Sequence, residues 1–275
     1  MSVDEARQAR PSPALRPYVA RYSGYRQAGV APAVHRGLPS PYLTLILTLD
    51  DPLTLAAHPD PAQRPDSYWT LLGGLHTAPA LITHQGRQSG VQVALSPLGA
   101  RALLGLPAGE LAGADHPADA VLGDWALEGR DRLRSAADWA GRFRAVDRWL
   151  LTRLGRSADP APEVVRAWQL LLAGGGRTGV AELAAEAGWS PRHLSERFRT
   201  ETGLAPKAAG RVIRFDRARR RLATARPGSL ADLAADCGYA DQAHLAREFR
   251  ALAGCPPSRW LAEEGPAVRR AAAAG

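Results

Sequence analysis

The chain has 275 residues, more than the about 100 to 200 that usually share one core, so two folded units are expected. Hydrophobic residues at 45% and charged residues at 23% exclude wholesale disorder, and no run approaches the roughly 20 apolar residues of a membrane span, so a cytoplasmic protein without membrane contact is expected. A net charge of +8, from 35 basic and 27 acidic side chains, favours an acidic polymer as partner. Two cysteines, Cys237 and Cys255, are too few for a disulfide scaffold or an all-thiolate zinc site.

The first hundred residues carry strand patterns. Tyr42-Leu-Thr-Leu-Ile-Leu-Thr-Leu49 alternates threonine with large aliphatics and ends at Asp50-Asp51-Pro52, a strand followed by a turn. Leu53 to Ala57, Tyr68 to Leu72, Ala80 to His84 and Gly90 to Leu95 are further short strands between Pro, Gly and Asp clusters. This suits a small β-barrel or sandwich over residues 1–106. His35, His58, His76 and His84 lack the spacing of a helical ligand pair, so they are read as structural and no metal is expected. Trp69, Tyr42 and Tyr68 are read first as core and second as the lining of an effector pocket.

From Ser96-Pro97 onward the period changes, and Leu98, Ala102, Leu103 and Leu106 predict a short helix. Leu133, Ala136, Trp139, Phe143, Val146, Leu150 and Leu154 then predict one long helix with a single apolar stripe, which either packs on the chain's own core or meets a second copy. Glu163 to Ala173 predicts another helix, and Gly174-Gly-Gly176 after it reads as a linker. Residues 107–176 are therefore a helical connector and a candidate dimerisation element. The tail, 265–275, is expected to be disordered.

The last third repeats itself. Leu183-Ala-Ala-Glu-Ala-Gly188 followed by Leu194 and Phe198 returns as Leu233-Ala-Ala-Asp-Cys-Gly238 followed by Leu245 and Phe249, with one extra residue in the second turn. Each copy reads as a helix-turn-helix: a short Ala-rich helix, a glycine able to take a left-handed conformation, then a second amphipathic helix. Ser190, with Pro191 behind it, and Asp241 are placed as caps of the second helices, and Ser229 with Asp232 as a capping box. Between the copies, Val212, Phe215, Ala218 and Leu222 mark one face of a helix over Pro206 to Ala225. That helix is about 30 Å long, close to the ~34 Å between successive major-groove faces. From Arg199 to Arg226 nine cations oppose Glu201 and Asp216, and phosphates are their natural counterpart.

Residues 177 to 262 resemble the tandem helix-turn-helix domain of the AraC/XylS family of transcription regulators. The resemblance rests on Ala181-Glu-Leu-Ala-Ala-Glu-Ala-Gly188, Gly203 with Pro206, Arg214-Phe-Asp-Arg-Ala-Arg-Arg-Arg-Leu222, Gly238 to Phe249 and Gly254-Cys-Pro-Pro-Ser258. It implies a multidomain α+β protein: an N-terminal β-barrel or sandwich that binds an effector, the helical connector, and an all-α DNA-binding domain over 177–264. Ala209, where the family commonly has an aromatic, and neighbouring Gly210 depart from the pattern. The outward positions Arg192, Ser195 and Glu196 in the first copy, and Gln242, Ala243 and Arg247 in the second, are the expected base readers. Arg199, Lys207, Arg214, Arg219, His244 and Arg250 are the expected phosphate contacts.

The expected function is a sequence-specific, effector-responsive transcription regulator on double-stranded DNA, not an enzyme, with no cofactor. A small-molecule effector, RNA polymerase and a second copy of the chain are further candidate partners. The competing reading is a metal-dependent β-barrel enzyme or a DNA-repair alkyl acceptor with a DNA-targeting tail, for which no catalytic motif is visible.

Overall fold

The computed structural model describes residues 2–155, 159–224 and 229–265. Ser157, Arg226 and the tail beyond Gly265 lie outside the described residues.

Among the described residues ten strands form two antiparallel sheets: β1 (Val3–Ala9), β2 (Val19–Ala28), β3 (Ala33–Gly37), β4 (Leu43–Thr48), β5 (Leu53–Ala57), β6 (Asp66–Tyr68), β7 (Thr70–Gly73), β8 (Ala80–His84), β9 (Arg87–Leu95) and β10 (Asp115–Pro117). One sheet runs β1-β2-β9-β4-β7-β10 and the other β3-β8-β5-β6. Strand alternation decides which face is which. Tyr22, Val93, Leu45 and Leu72 sit opposite one another across four strands, each at most 1% exposed, and join the main core beneath the helices. On the other face, Ile46 and Leu71 meet Leu53, Leu55, Tyr68 and Ala80 of the second sheet in a small separate core.

The sequence misses β1, whose polar Val-Asp-Glu-Ala-Arg-Gln-Ala suits a sheet edge, and β2, which Arg21, Gly24 and Arg26 disguise. The strand expected over Tyr68 to Leu72 is instead β6 and β7, in different sheets. Trp69 at the switch faces outward, 47% exposed, with the Arg130 guanidinium 4.4 Å from its ring centre. Tyr42, Tyr68 and Trp69 therefore share no pocket: Tyr68 packs edge-on against His58, and Tyr42 lies under Arg21.

Eleven α-helices follow among the described residues: α1 (Ala100–Leu104), α2 (Ala118–Leu122), α3 (Asp124–Arg134), α4 (Trp139–Leu151), α5 (Pro162–Ala173), α6 (Val180–Glu186), α7 (Pro191–Thr202), α8 (Pro206–Thr224), α9 (Leu230–Cys237), α10 (Gln242–Ala253) and α11 (Pro257–Glu263). The long helix expected from Leu133 to Leu154 is broken. Leu133 lies in the last turn of α3, and the Asp138 carboxylate accepts the Gly141 amide at 2.6 Å to cap α4. A short polar side chain that binds nearby backbone favours such a start over continuation. The apolar stripe of α4 lies on the chain's own sheet: Phe143, Val146, Trp149 and Leu150 are buried in the main core.

Helix α8 has two buried faces. Ala209 and Ile213 join the main core with α5 and the α6–α7 pair, while Val212, Phe215, Ala218 and Leu222 pack with α9, α10 and α11. Gly174 to Gly176, expected as a linker, close α5 instead: the Gly176 amide donates to Leu171 O at 2.8 Å, with φ at +78°. This turn crosses α8 at Gly210, where a Cβ would lie 2.8 Å from Gly176 O. The departure at Gly210 is thus the small residue that this crossing requires, and Ala209 beside it is buried in the main core.

Half-exposed Ser23, Tyr25 and Gln92 share the inter-sheet face with Ile46, and His35 and His84 share the facing one with Ile82. The two histidine rings lie 6.2 Å apart, and burial, then the neighbouring His84, push His35 down to about 4.

Two outcomes follow. Alanine in place of a helical glycine ordinarily stabilises by about 1 kcal/mol; Gly210→Ala should instead destabilise by about 1–3 kcal/mol, read as a lowered Tm, because backbone must give way. His35 takes up its proton at 6.5 when unfolded but only near 4 when folded, so stability should be lost as pH falls through that window. Thermal melts of His35→Gln should show a smaller acid loss than wild type.

Candidate nucleic-acid interface

Both expected helix-turn-helix units are present. Gly188 and Gly238 end the first helices at φ of +66° and +79°. Ser190 Oγ accepts the His193 amide at 3.2 Å, and Asp241 Oδ1 accepts the His244 amide at 2.6 Å, so both second helices start as their sequences require. The Ser229 cap accepts the Asp232 amide at 3.0 Å. The aromatic after each glycine packs edge-on to the histidine in the next first turn: Trp189 with His193 and Tyr239 with His244.

Leu194, Phe198, Leu245 and Phe249 are at most 1% exposed and anchor α7 and α10. The opposite faces are open. Arg192, Glu196, Gln242, Ala243 and Arg247 are exposed, and Ser195 is half-buried with its hydroxyl donating to Pro191 O at 2.7 Å. Arg192 and Glu196 pair at 3.0 Å with side chains 90% and 62% exposed. Such a pair is worth about 0.5 kcal/mol or less, so either member is readily released to a base edge. Arg197, which sequence reasoning passed over, is exposed on the same helix.

The expected phosphate contacts divide. Arg199, Lys207 and Arg250 are exposed. Arg214 turns inward, donating to Gly176 O and lying over the Tyr239 ring, so it fixes the α5 turn. Arg219 is 16% exposed and paired with Asp216, and His244 accepts the Ala240 amide at 3.3 Å while its ring rests on Tyr239. All three have partners within the protein: Arg214 and Arg219 lie near the seams of α8, where a helix packed on two sides brings protein acceptors within reach, and His244 lies on α10 against Tyr239.

The β-rich part touches both units and the helix between them. Arg101 on α1 makes a bidentate pair with Glu201 at the end of α7, at 2.7 and 2.9 Å, and Glu201 is 3% exposed. Beside it Gly109 lies against α7 so closely that a Cβ would sit 2.3 Å from Thr200 O. Arg36 on β3 reaches Glu263 and Glu264 at 2.8 and 2.7 Å, beyond the second unit. Arg21 on β2 lies near α8, its guanidinium held below the ordinary range by burial and then by Arg220. No sequence signal relates residues a hundred positions apart, and this contact was not foreseen.

Cys237 and Cys255 are buried, and burial pushes both thiols up, which withholds the thiolate that alkyl transfer needs. Among the described residues no three His, Cys, Asp or Glu side chains are grouped to hold a metal ion, and no helix is long and apolar enough to cross a membrane.

Two such units on one connecting helix, each with a polar face turned outward, define a tandem helix-turn-helix DNA-binding protein. A helix-turn-helix domain family matches residues 183–263, and a domain family of unknown function, DUF6597, matches residues 7–117. The DNA-binding domain of AdpA, a global transcriptional factor solved with a target DNA, is 31% identical over 40% of this chain and 96% of its own, at a TM-score of 0.35. ToxT from Vibrio cholerae is 11% identical, with a TM-score of 0.51 over 88% of this chain and 97% of its own, and shares the two-part fold. No curated protein matches the chain. The chain belongs to the AraC/XylS family of DNA-binding transcription regulators.

Removing Arg101 strands a buried carboxylate. Breaking a fully buried pair costs about 3–5 kcal/mol; Arg101 is partly exposed, so Arg101→Ala should destabilise by about 2 kcal/mol, measured by urea unfolding, and Glu201→Gln in the same background should recover part of the loss.

Proposed function

We propose that this regulator reads two successive major grooves of one DNA face, inserting α7 and α10 a helical turn apart, and that it responds to a small molecule held between its two sheets. The observation that carries the reading is α8, a 19-residue helix about 28 Å long that holds the first unit on one side through Ala209 and Ile213 and the second on another through Val212, Phe215, Ala218 and Leu222. Arg192 and Arg247 suit guanine O6 and N7, Gln242 suits adenine, Glu196 suits cytosine N4, Ala243 suits a thymine methyl, and Ser195 is tolerant. Arg199, Lys207 and Arg250 flank them for phosphate.

The effector half rests on the facing sides of the two sheets, where Ser23, Tyr25, Gln92, His35 and His84 are only partly buried beside the apolar cluster of Ile46, Leu53, Leu55 and Leu71. That combination suits a small, mostly apolar molecule with few polar groups. ToxT, of similar fold, has been solved with a naphthalenyl butenoic acid bound. Contacts from the β-rich part to α7, α8 and α11 give such a ligand a route to the readers.

The test is selection of the preferred duplex from random DNA, followed by binding titrations. Arg192→Ala and Arg247→Ala should each cost about 1–3 kcal/mol on the selected site and little on random DNA. Lys207→Ala and Arg250→Ala should weaken all duplexes alike and reduce the salt slope by about 1. Equal affinity for selected and random duplexes would overturn the reading.

A further inference from the structure

The edge strand β1 and helix α4 enclose an open groove of about 680 Å³ that none of the roles above uses. Arg7 and Arg10 stand on its strand side, Arg144 and Arg148 on its helix side, and all four are exposed. Among the described residues no carboxylate lies within ion-pair distance of any of the four; Arg7 donates only to its neighbour's carbonyl, Ala6 O. Arg144 and Arg148 are four residues apart on one helix, an arrangement of like charges that a helix ordinarily avoids.

The acid that lines this groove is otherwise engaged. Asp147 Oδ1 accepts the Ser12 amide at 2.9 Å and the Tyr22 hydroxyl at 2.8 Å. Burial, then that carboxylate, hold the Tyr22 phenol well above its ordinary range, so Tyr22 remains a neutral donor to it. Ser12 Oγ, also in the lining, is buried without a partner. The floor is aromatic: Tyr22 and Phe143 stack at 6.2 Å and Phe143 and Trp139 at 6.1 Å. Gly24 makes room for this row, since a Cβ there would lie 2.4 Å from the Trp139 ring.

Guanidinium groups on two facing walls above a flat apolar floor match an anion with a planar body. Arginine forks grip carboxylate or phosphate oxygens in pairs, and aromatic rings take a planar group face-on or edge-on. The volume is in the range of small-molecule sites. We propose that this groove is a second ligand site, distinct from the space between the sheets, which binds a small organic anion made of a planar ring and a phosphate or carboxylate head. It deepens the effector reading and rests on it for its regulatory consequence, whereas binding itself is measurable without DNA.

Calorimetry on the full chain without DNA tests it, with 4-nitrophenyl phosphate, 4-nitrobenzoate, neutral 4-nitrobenzyl alcohol and inorganic phosphate as probes. Saturable binding of at least one aromatic anion is expected, at least tenfold tighter than the alcohol or inorganic phosphate, and the tighter of the two anions assigns the head group. The double variant Arg144→Ala/Arg148→Ala should lose at least tenfold, and Arg7→Ala, on the opposite wall, should lose severalfold. All three side chains are exposed, so the fold should persist by circular dichroism. Absence of saturable binding, equal binding of the neutral alcohol, or unchanged affinity in both variants would overturn the site. The selected-duplex titrations above are independent of this result, so failure here leaves the DNA reading standing, and failure there leaves the groove standing.

Discussion

Helix α8 must satisfy two cores at once, and the placement of every reading residue depends on it. Ala209 and Ile213 belong to the core of the first unit; Val212, Phe215, Ala218 and Leu222 belong to that of the second. At 100° per residue these positions fall on two different sides of one helix, so neither unit can swing without exposing apolar surface. The crossing at Gly210 and Gly176 fixes the rod lengthwise as well, since neither position has room for a side chain. Arg214 adds a third restraint by bonding the same turn. Rigidity here comes from packing on both sides of a helix whose own composition, rich in arginine, would make it an unremarkable surface helix.

The same economy of position explains the arginines. A chain with 35 basic residues of which only Lys207 is lysine offers guanidinium groups everywhere, and the fold sorts them. Those at seams become struts: Arg214 to the α5 turn, Arg219 and Arg220 to Asp216, Arg211 bidentate to Glu248. Others join the β-rich part to the DNA-binding part, Arg101 at the end of α7 and Arg36 beyond the second unit. Others stay exposed near the readers, among them Arg197, Arg199, Lys207 and Arg250. Because Arg101 grips the far end of the first reading helix, any rearrangement of the sheet behind it is felt at α7 within one side chain's reach.

The repeated unit was legible because its signals are local. Glycine, cap and apolar spacing lie within twenty residues of one another, and Ser190, Asp241 and Ser229 cap as their neighbours dictate. The β region was legible only where alternation was clean, as in Leu43–Thr48. An edge strand such as Val3–Ala9 has no buried face to declare itself, and the sheet switch at Trp69 leaves no mark in a run of mixed apolar residues. Side-chain roles within the interface were legible to the extent that helix phase decides them. Phase places Arg192 and Arg247 outside; it cannot tell that Arg219 will find Asp216 or that His244 will rest on Tyr239.

The most direct measurement of the central claim is guanine methylation protection on the selected duplex with the full chain bound. Two clusters of protected major-groove positions on one face, with centres about 10 base pairs apart, are predicted from two reading helices held together by α8 and inserted in successive grooves. A single cluster, or two clusters out of helical phase with one another, would contradict it.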